Sequence, residues 1–395
     1  MSSARGPSPE YGQPTLVCVE DGYYPEFSCV SQATNAFFVL FPSLRYLFAI
    51  LSLTRTLMTT LSKRINTVSA PDPKLQIKMA LAPIAEDMKA VDDIIRHELA
   101  SDVPRMKEIS EYIVSAGGKR MRPALLMLIA RALGYQGTLH QYLGATIELL
   151  HTATLMHDDV VDESDMRRGR PTANHQWGNG VAVLVGDFLY TRSFQMMVKA
   201  GNLKVMEALS DAANRLSEGE VIQMENAHDP SVDEERYFKV IERKTGCLFE
   251  AAAKMAAAIA DCPAEQAEAV SHYALALGNA FQIADDILDY DGVSSAIGKN
   301  LGADLREGKV TLPLLYARQE VQDAERELID RAIREGNGDF ETISALITHS
   351  NALKRCHERA RQELVRGEQA LQALPPSPYR DALVTLLAYT VDRQK

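Results

Sequence analysis

The chain has few cysteines, and none of them stand at the spacing of a metal-binding or redox pair. The five are Cys18, Cys29, Cys247, Cys262 and Cys356, and they form no C-x-x-C motif. This spacing argues against a zinc ribbon and against a dense disulfide framework. We therefore expect a reducing compartment, with the protein in the cytoplasm.

Basic residues are also fewer than acidic ones. The chain has 42 lysines and arginines against 53 aspartates and glutamates, which gives a net charge of −11. An acidic chain is poorly suited to hold nucleic acid by its phosphate backbone, so we expect no nucleic-acid partner. Small phosphate ligands are still compatible with this charge where basic residues gather locally. With 46% hydrophobic residues, the 395-residue chain can bury a large core, which argues against wholesale disorder.

Alternating strand runs are few, and we find no repeat of fixed period. From about residue 72 the chain instead shows apolar residues three and four positions apart, which is typical of helices. The predicted helices cover residues 84–99, 123–133, 140–163, 181–200, 203–226, 233–260, 264–290 and 311–319. Pro123 and Gly134 mark the start and the end of one of them. We predict an all-α fold whose helices surround one large core.

The first seventy residues differ in composition from the rest. They hold five basic and four acidic residues, and no acidic residue lies between Glu26 and Asp72. The apolar run of residues 36–53 contains Pro42 and Arg45 near its middle. A charge at that depth in a bilayer is costly, which disfavours a transmembrane helix.

A secretory signal and a mitochondrial presequence fit this leader only in part. The chain opens with acidic residues rather than with a basic segment, and only residues 27–70 are acid-poor and arginine-bearing. We predict that residues 1–74 are an extension outside the fold and that residues 75–395 form the folded domain. Met79 is an alternative start that suits this boundary.

Two acidic clusters of the form D-D-x-x-D carry the clearest chemical signal. They are Asp158, Asp159 and Asp162, and then Asp285, Asp286 and Asp289. At about 100° per residue, the outer carboxylates of each cluster lie about 40° apart, on one helix face. Like charges at that spacing destabilise a helix unless a cation lies between them, and oxygen ligands with open positions suit Mg²⁺. Because both clusters lie in apolar sequence, we predict two helices that meet across a metal-binding cavity.

Basic residues occur close to both clusters. The loop AGGKRMRP has two glycines and lies just before a helix start, which is a good arrangement for binding a diphosphate. Its basic residues are Lys119, Arg120 and Arg122. The pair Arg167–Arg168 follows the first cluster directly, and the remaining candidates are Lys244, Thr245, Lys299 and Lys309.

Two histidines on the helix that carries the first acidic cluster are expected on different faces of that helix. His151 precedes Asp158 by seven residues, about 20° on the helical wheel, so we expect it to face the same cavity. His157 lies about 120° from His151, so we expect it on a different face.

Long motifs resemble those of a known family. They are GGKRMRP, ELLHTATLMHDDVVDESDMRRGRPTAN, GDFLY, KTGCLFEAA and FQIADDILDYDG, followed by GKNLGADLREGKVTLPLL. They resemble the trans-polyprenyl diphosphate synthases, and among these the bacterial octaprenyl diphosphate synthases of ubiquinone biosynthesis. The resemblance covers about residues 75–395 and leaves out the leader.

The resemblance implies an isoprenoid-synthase-type helical bundle around a deep central cavity, and a homodimer. It implies Mg²⁺-dependent elongation of an allylic diphosphate, such as farnesyl diphosphate, by isopentenyl diphosphate, with the released diphosphate taking up the proton. Transient membrane contact would accompany product release.

The implied catalytic residues are Asp158, Asp162 and Arg167. The implied metal ligands are Asp158, Asp162, Asp285, Asp286 and Asp289. The implied isopentenyl diphosphate site is Lys119, Arg122, His151 and Arg168, and the implied allylic diphosphate site is Arg167, Lys244, Thr245, Gln282 and Lys299.

The resemblance also suggests what determines product length. Short-chain members of the family place an aromatic residue four or five positions before the first acidic motif. Here these positions hold Thr154 and Ala153, which are small, so we expect the cavity to run open past them. Bulky residues that are candidates for its floor are Phe194, Met196 and Met197.

Three alternatives stay open. The pair His157–Asp158 is compatible with a metal-dependent phosphohydrolase, but two D-D-x-x-D clusters would then be unexplained. A terpene cyclase would share one acidic motif, but neither the second motif nor the GGKRMRP loop. A non-catalytic partner subunit would have lost carboxylates or arginines, and here all of them are present.

Overall fold

Helices joined by short loops account for almost all of the chain that is described. The structure is a computed structural model that describes residues 73–115, 117–290, 302–336 and 339–392. Residues Pro71–Lys395 form one compact unit. The predictions for the leader, including its apolar run, fall outside the described residues, and so does Lys299.

The first half of the unit contains α1 (Pro73–Leu81), a 3₁₀ turn (Ala82–Ile84), α2 (Ala85–Glu98), α3 (Pro104–Ser115), α4 (Met121–Ala132) and α5 (Leu139–Val161). A small antiparallel hairpin of β1 (Met166–Arg167) and β2 (Arg170–Pro171) follows. Next come α6 (Ala173–Trp177), α7 (Asn179–Lys199), α8 (Leu203–Asn226) and α9 (Glu234–Ile241).

The second half begins with a π-helical segment (Glu242–Gly246), α10 (Cys247–Ala260) and α11 (Ala264–Tyr290). It continues with α12 (Ala303–Arg306), α13 (Leu312–Glu320), α14 (Asp323–Glu335) and α15 (Phe340–His349). The last elements are α16 (Ala352–Ala370), a 3₁₀ turn (Leu371–Ala373) and α17 (Pro378–Asp392).

This element order confirms the all-α prediction. Within the described residues, the two-residue strands of the hairpin are the only strands. Two predicted helices, 203–226 and 264–290, have the bounds that the sequence indicates. None of the helices in the described part of the chain combines the length and the apolar character that a bilayer crossing requires.

Helix ends follow local sequence signals, two of which, Pro123 and Gly134, were predicted. Asn202 caps α8, because its side chain accepts hydrogen bonds from the backbone N–H groups of Lys204 and Val205 at 3.0 and 3.3 Å. Pro123 lies in the first turn of α4, and Gly134, with a φ of 83°, follows its end. Only glycine adopts that backbone conformation without steric cost, so the helix ends there.

The long helix α5 carries the first acidic cluster at its C-terminal end. Most of its residues are buried, and it packs against α2, α4 and α7. A helix that is buried all round is normally apolar all round. The polar side chains of His151, Thr154 and Asp158 on one side of α5 are therefore accommodated by a cavity rather than by the core.

The helical segment predicted over residues 233–260 is helical from Glu234 to Ala260, but it is not one regular α-helix. The helices α9 and α10 are joined by the π-helical segment, which carries Lys244 and Thr245. A π-helical turn inserts one extra residue and occurs frequently at functional sites. Apolar periodicity does not reveal it, because the insertion shifts the helical register by only one position.

Glycines on two helices make room for this segment. A Cβ atom on Gly219 of α8 would lie 2.8 Å from the backbone nitrogen of Lys244. One on Gly278 of α11 would lie 2.8 Å from Cα of Gly246. Contacts that short do not occur for real Cβ atoms, so the π-helical segment is held between α8 and α11 only because both positions are glycine.

The first described helix packs against the last one, since α1 contacts α17. Met79, the alternative start, lies inside α1 and is exposed, whereas Ile77 and Leu81 are partly buried against the core. A chain that began at Met79 would therefore lack most of a helix that contributes to the compact unit.

Candidate active site

The acidic ends of α5 and α11 line a common cavity of about 590 Å³. Residues of α8, of the π-helical segment and of the loop before α4 complete its wall. The predicted site residues that line it are Lys119, Arg122, His151, Asp158, Asp162, Arg167, Arg168, Lys244, Thr245, Gln282 and Asp285. The structure thus brings together residues that lie more than 160 positions apart in the chain.

The first acidic cluster divides between the cavity and the interior. Asp158 lies in the last turn of α5 and Asp162 is its C-cap residue, and both line the cavity. Asp159 is buried and accepts a hydrogen bond of 2.6 Å from Nε of Arg167. Burial raises the pKa of the Asp158 carboxyl, although Lys244 and Arg167 attract its charged form.

The second acidic cluster divides in a similar way between the cavity and the interior. Asp285 lines the cavity. Asp286 is buried and accepts hydrogen bonds from Tyr237 Oη at 2.7 Å and Gln282 Nε2 at 2.8 Å. Burial raises the pKa of Asp286 to about 7, against the effect of these bonds.

Asp289 contacts the backbone at the start of α12. Its carboxylate accepts hydrogen bonds from the N–H groups of Gly302 and Asp304 at 3.2 and 3.3 Å. Neither Asp286 nor Asp289 lines the cavity of about 590 Å³, so whether they act as metal ligands stays a prediction.

The two histidines lie where the helical wheel places them. His151 lines the cavity, and burial together with the nearby charge of Arg122 lowers its pKa well below the usual value. The uncharged imidazole keeps one N–H donor. His157 points instead towards α7, with Nε2 at 3.3 Å from Oδ1 of Asp187.

The two arginines of the loop before α4, Arg120 and Arg122, have different surroundings. Arg120 pairs with the buried Glu148 at 2.8 Å. Arg122 is buried, its guanidinium lies 4.7 Å from the ring centre of Phe249, and its Nε makes no hydrogen bond within the described part of the chain. Burial lowers the pKa of Arg122. A buried guanidinium nitrogen without an acceptor suits an anionic ligand that enters the cavity.

Gly118, the second glycine of that loop, leaves space for the side chain of Arg168. A Cβ atom on Gly118 would lie 2.8 Å from Nη1 of Arg168. The absence of a side chain at this position lets the Arg168 guanidinium approach the loop, so that the loop and the hairpin share one wall of the cavity.

The cavity is also lined by Lys309, a candidate from the sequence, and by Glu220, which the sequence did not single out. Lys309 Nζ lies 3.2 Å from Oδ2 of Asp162 and 2.5 Å from Oε2 of Glu307. Burial opposes its charge, but the two carboxylates outweigh burial and raise the pKa of Lys309. Glu220 on α8 accepts a hydrogen bond of 2.8 Å from Lys244 Nζ. A glycine in the middle of α8, at Gly219, is the one sequence signal that something approaches the helix there.

The apolar part of the cavity lies beside Thr154. Thr154 lines it, whereas Ala153 is fully buried in the core. The apolar lining residues are Met121, Leu155, Leu216, Leu248 and Phe281. The three floor candidates lie elsewhere: Phe194, Met196 and Met197 do not line this cavity, and Phe194 stacks on Tyr190 with ring centres 5.0 Å apart.

The donor set fits a hard divalent cation that is held jointly with a ligand. No three His, Cys, Asp or Glu side chains among the described residues converge closely enough to hold a metal ion by themselves. Mg²⁺ commonly takes only one or two carboxylates and completes its shell with water and substrate phosphates. Asp158 and Asp285 offer such oxygens from two helices, and a cation there would offset the cost of burying the Asp158 charge.

Comparison with known proteins adds independent evidence. The family model for polyprenyl synthetase matches residues 103–349. The chain is 47% identical over 313 residues to the octaprenyl diphosphate synthase of Escherichia coli (strain K12), with coverage of 79% of this chain and 97% of that protein. It is also 47% identical over 315 residues to an all-trans-nonaprenyl-diphosphate synthase (geranyl-diphosphate specific) of Rhodobacter capsulatus, with the same 79% and 97% coverage.

A solved structure agrees with these sequence matches. A polyprenyl synthase from Caulobacter crescentus CB15, complexed with calcium and isoprenyl diphosphate, superposes with a TM-score of 0.78 at 39% identity, over 81% of this chain and 98% of that chain. Both acidic clusters and both groups of basic residues lie inside the region matched by the family model. Because that model matches more than half of the chain, and the relatives match over nearly their whole length, the chain belongs to the polyprenyl synthetase family.

Proposed function

We propose that the enzyme extends an allylic diphosphate, such as farnesyl diphosphate, with successive isopentenyl diphosphate units to all-trans octaprenyl diphosphate. The product would supply the side chain of ubiquinone, and the reaction would take place in the cytoplasm. One observation carries the proposal: Asp158 and Asp285, on two different helices, line one cavity together with basic residues of the loop before α4, of the hairpin and of the π-helical segment. We assign these basic residues to two groups, one for each of two diphosphates.

The allylic diphosphate is assigned to the group on the side of the π-helical segment, which comprises Arg167, Lys244, Thr245 and Gln282, with Lys299 as a further predicted member. Thr245 Oγ1 donates to Gln282 Oε1 at 3.0 Å, and this bond orients the Gln282 amide. Arg167 and Lys244 supply positive charge as the carbon–oxygen bond breaks. They stabilise the negative charge that develops on the departing diphosphate.

Isopentenyl diphosphate is assigned to Lys119, Arg122, His151 and Arg168. The buried Nε of Arg122 would gain an acceptor from a phosphate oxygen. His151 is held uncharged by burial and by Arg122, since both lower its pKa. It therefore serves as a neutral hydrogen-bond donor rather than as a third positive charge.

Asp158, Asp162 and Asp285 are the carboxylates that would hold Mg²⁺ directly, while Asp286 and Asp289 would support them from behind. Asp286 orients Gln282, and Asp289 holds the backbone at Gly302. When bound, Mg²⁺ supplies a Lewis acid that neutralises charge on the diphosphate.

The apolar wall protects the allylic cation after ionisation. Leu155, Leu216, Leu248 and Phe281 offer no nucleophile and exclude water. The double bond of isopentenyl diphosphate attacks the cation, a carbon–carbon bond forms and a proton leaves. We assign no cavity residue as the general base, and the released diphosphate takes the proton.

The proposal includes a homodimer that contacts the membrane transiently when it releases its product. Exposed apolar side chains that cluster into one large patch mark contact surfaces. The helix α7 exposes Leu184 and Val198, and α8 begins with the exposed Leu203. Light scattering should give twice 43.6 kDa, and flotation with lipid vesicles should recover the enzyme only during turnover.

Product analysis tests the function. The purified enzyme is incubated with labelled isopentenyl diphosphate, farnesyl diphosphate and Mg²⁺, and the dephosphorylated products are separated by chromatography. A product of eight isoprene units supports the proposal. Release of phosphate without elongation would indicate a phosphohydrolase, a cyclic hydrocarbon would indicate a terpene cyclase, and activity only after addition of another subunit would indicate a non-catalytic partner.

A further inference from the structure

Glu220 belongs to neither acidic cluster, yet it lines the same cavity. We propose that Glu220 is a positioning residue, which holds the Lys244 ammonium where the diphosphate of the allylic substrate arrives. The inference rests on the proposed function, because it takes Lys244 as a contact of that diphosphate.

The contact between the two side chains is short and partly shielded from solvent. Lys244 Nζ donates to Oε2 of Glu220 at 2.8 Å, and the two side chains are 21% and 24% exposed. An ammonium group has three donors. One of them is used by Glu220, so two are left for phosphate oxygens on the cavity side.

Lys244 needs such a partner because of its own flexibility. A lysine carries its charge on a four-carbon stem that has about 2 kcal/mol of rotamer entropy. The backbone of Lys244 is already fixed, since the π-helical segment is held against Gly219 of α8. Glu220, the next residue of α8, fixes the far end of the same side chain.

Asp158 offers the Lys244 ammonium group a second carboxylate partner besides Glu220. Lys244 lies close enough to Asp158 to favour the charged form of that carboxylate. Without Glu220, the ammonium would be free to pair with Asp158, which is assigned to metal binding. Glu220 therefore keeps the positive charge at the diphosphate and away from the carboxylates of the first cluster.

The chain offers a matched control for this pair. Glu218 and Arg243 form an ion pair between the same two elements, α8 and the π-helical segment. Each of them is one or two positions from the proposed pair, and neither lines the cavity. A purely structural role in joining these elements would therefore be shared by Glu218 and Glu220.

The experiment compares Glu220→Gln with Glu218→Gln in the first condensation step. We expect Glu220→Gln to raise the KM of the allylic diphosphate about tenfold, which is the loss expected for one charge-assisted hydrogen bond. The KM of isopentenyl diphosphate should stay within about twofold, and Glu218→Gln should leave both constants unchanged. Both variants should show equal melting temperatures.

A double variant tests whether Glu220 acts through Lys244. In a Lys244→Met background, Glu220→Gln should cause no further loss, because the group it positions is gone. Three outcomes would overturn the inference: equal effects of the Glu218 and Glu220 variants, tighter allylic binding by Glu220→Gln, or a full additional loss in the Lys244→Met background. If wild-type enzyme forms no elongated product in the same assay, the proposed function itself fails, which is a distinguishable result.

Discussion

At the scale of single residues, neighbouring carboxylates of one motif have separate surroundings. Asp158 and Asp285 line the cavity, whereas Asp159 and Asp286 are buried and bonded to other side chains. The consecutive aspartates of each motif point in different directions because they lie about 100° apart on the helix. Loss of a cavity-facing carboxylate should thus affect chemistry, while the buried ones also contribute to packing.

We expect Asp158→Ala and Asp285→Ala each to lower turnover by at least about a hundredfold. A metal ion contributes several kcal/mol to the stabilisation of developing charge, and each 1.36 kcal/mol changes a rate about tenfold. Steady-state kinetics would measure the loss, with circular dichroism as the check of folding. Asp93→Ala, at an exposed position of α2, is the control. Near-parental turnover in either cavity variant would contradict the assignment of metal binding to both helices.

His151 should behave as a neutral donor. Because burial and Arg122 hold its pKa well below the usual value of about 6.5, its charge should not change between about pH 6 and 8. We expect His151→Gln, which keeps an N–H donor, to retain activity within about threefold, and His151→Ala to lose about tenfold or more. The pH profile of kcat/KM for isopentenyl diphosphate measures this. A step near pH 6.5 that disappears in His151→Gln would show that the charged form takes part.

Thr154 should influence product length. It lies one turn before Asp158 and lines the apolar side of the cavity, so a phenylalanine there would project into the path of the growing chain. We expect Thr154→Phe to shorten the product by several isoprene units while the first condensation continues. Thr154→Val, which keeps the shape, should leave the length unchanged. An unchanged long product from Thr154→Phe would mean that the chain grows along another wall.

At the scale of elements, the π-helical segment depends on close helix approach. It lies between Gly219 of α8 and Gly278 of α11, and it carries two predicted diphosphate ligands, Lys244 and Thr245. The position of these ligands is consequently a property of three packed elements rather than of one helix.

Gly219→Ala tests this dependence. Alanine favours a helix interior over glycine by about 1 kcal/mol, but overpacking typically costs about 1–3 kcal/mol. We therefore expect a lower melting temperature and about a tenfold lower kcat/KM for the allylic diphosphate. Gly180→Ala, at a position of α7 with no atom within 4 Å of the added Cβ, should be neutral. A Gly219→Ala enzyme with raised stability and full activity would show that α8 and the π-helical segment move apart without loss of stability or activity.

At the scale of the whole molecule, the described unit is closed by contact between its first and last helices. The sequence indicates a change of composition near residue 72, and α1 begins at Pro73. Every residue that lines the cavity lies well after α1. We therefore predict that the leader is not needed to assemble the described part of the site.

Two truncations separate the leader from α1. We expect a chain that begins at Pro71 to keep its full activity and melting temperature. A chain that begins at Met79 should stay soluble and active but melt a few degrees lower, because it loses the burial of Ile77 against the core, worth about 1–3 kcal/mol. Loss of folding on removal of residues 1–70 would show that the leader packs on the domain.

Much of this enzyme follows from local sequence patterns. Apolar residues at helical spacing predicted the all-α fold, because a helix exposes one stripe of side chains whatever its partners are. The same periodicity placed His151 with Asp158 and separated His157 from both. Proline and glycine marked the start and the end of α4 correctly, since their backbone preferences act within a few residues.

Only the tertiary structure decided which groups meet. The pairing of Lys244 with Glu220 and of Lys309 with Asp162 joins residues far apart in the chain, and no local pattern specifies such a contact. The π-helical segment was missed because it exists only where glycines of two other helices leave room for it. The burial of Asp286 likewise goes with a hydrogen bond from Tyr237, a residue of another helix. Local periodicity determines which face a side chain occupies, while packing between distant segments determines what that face contacts.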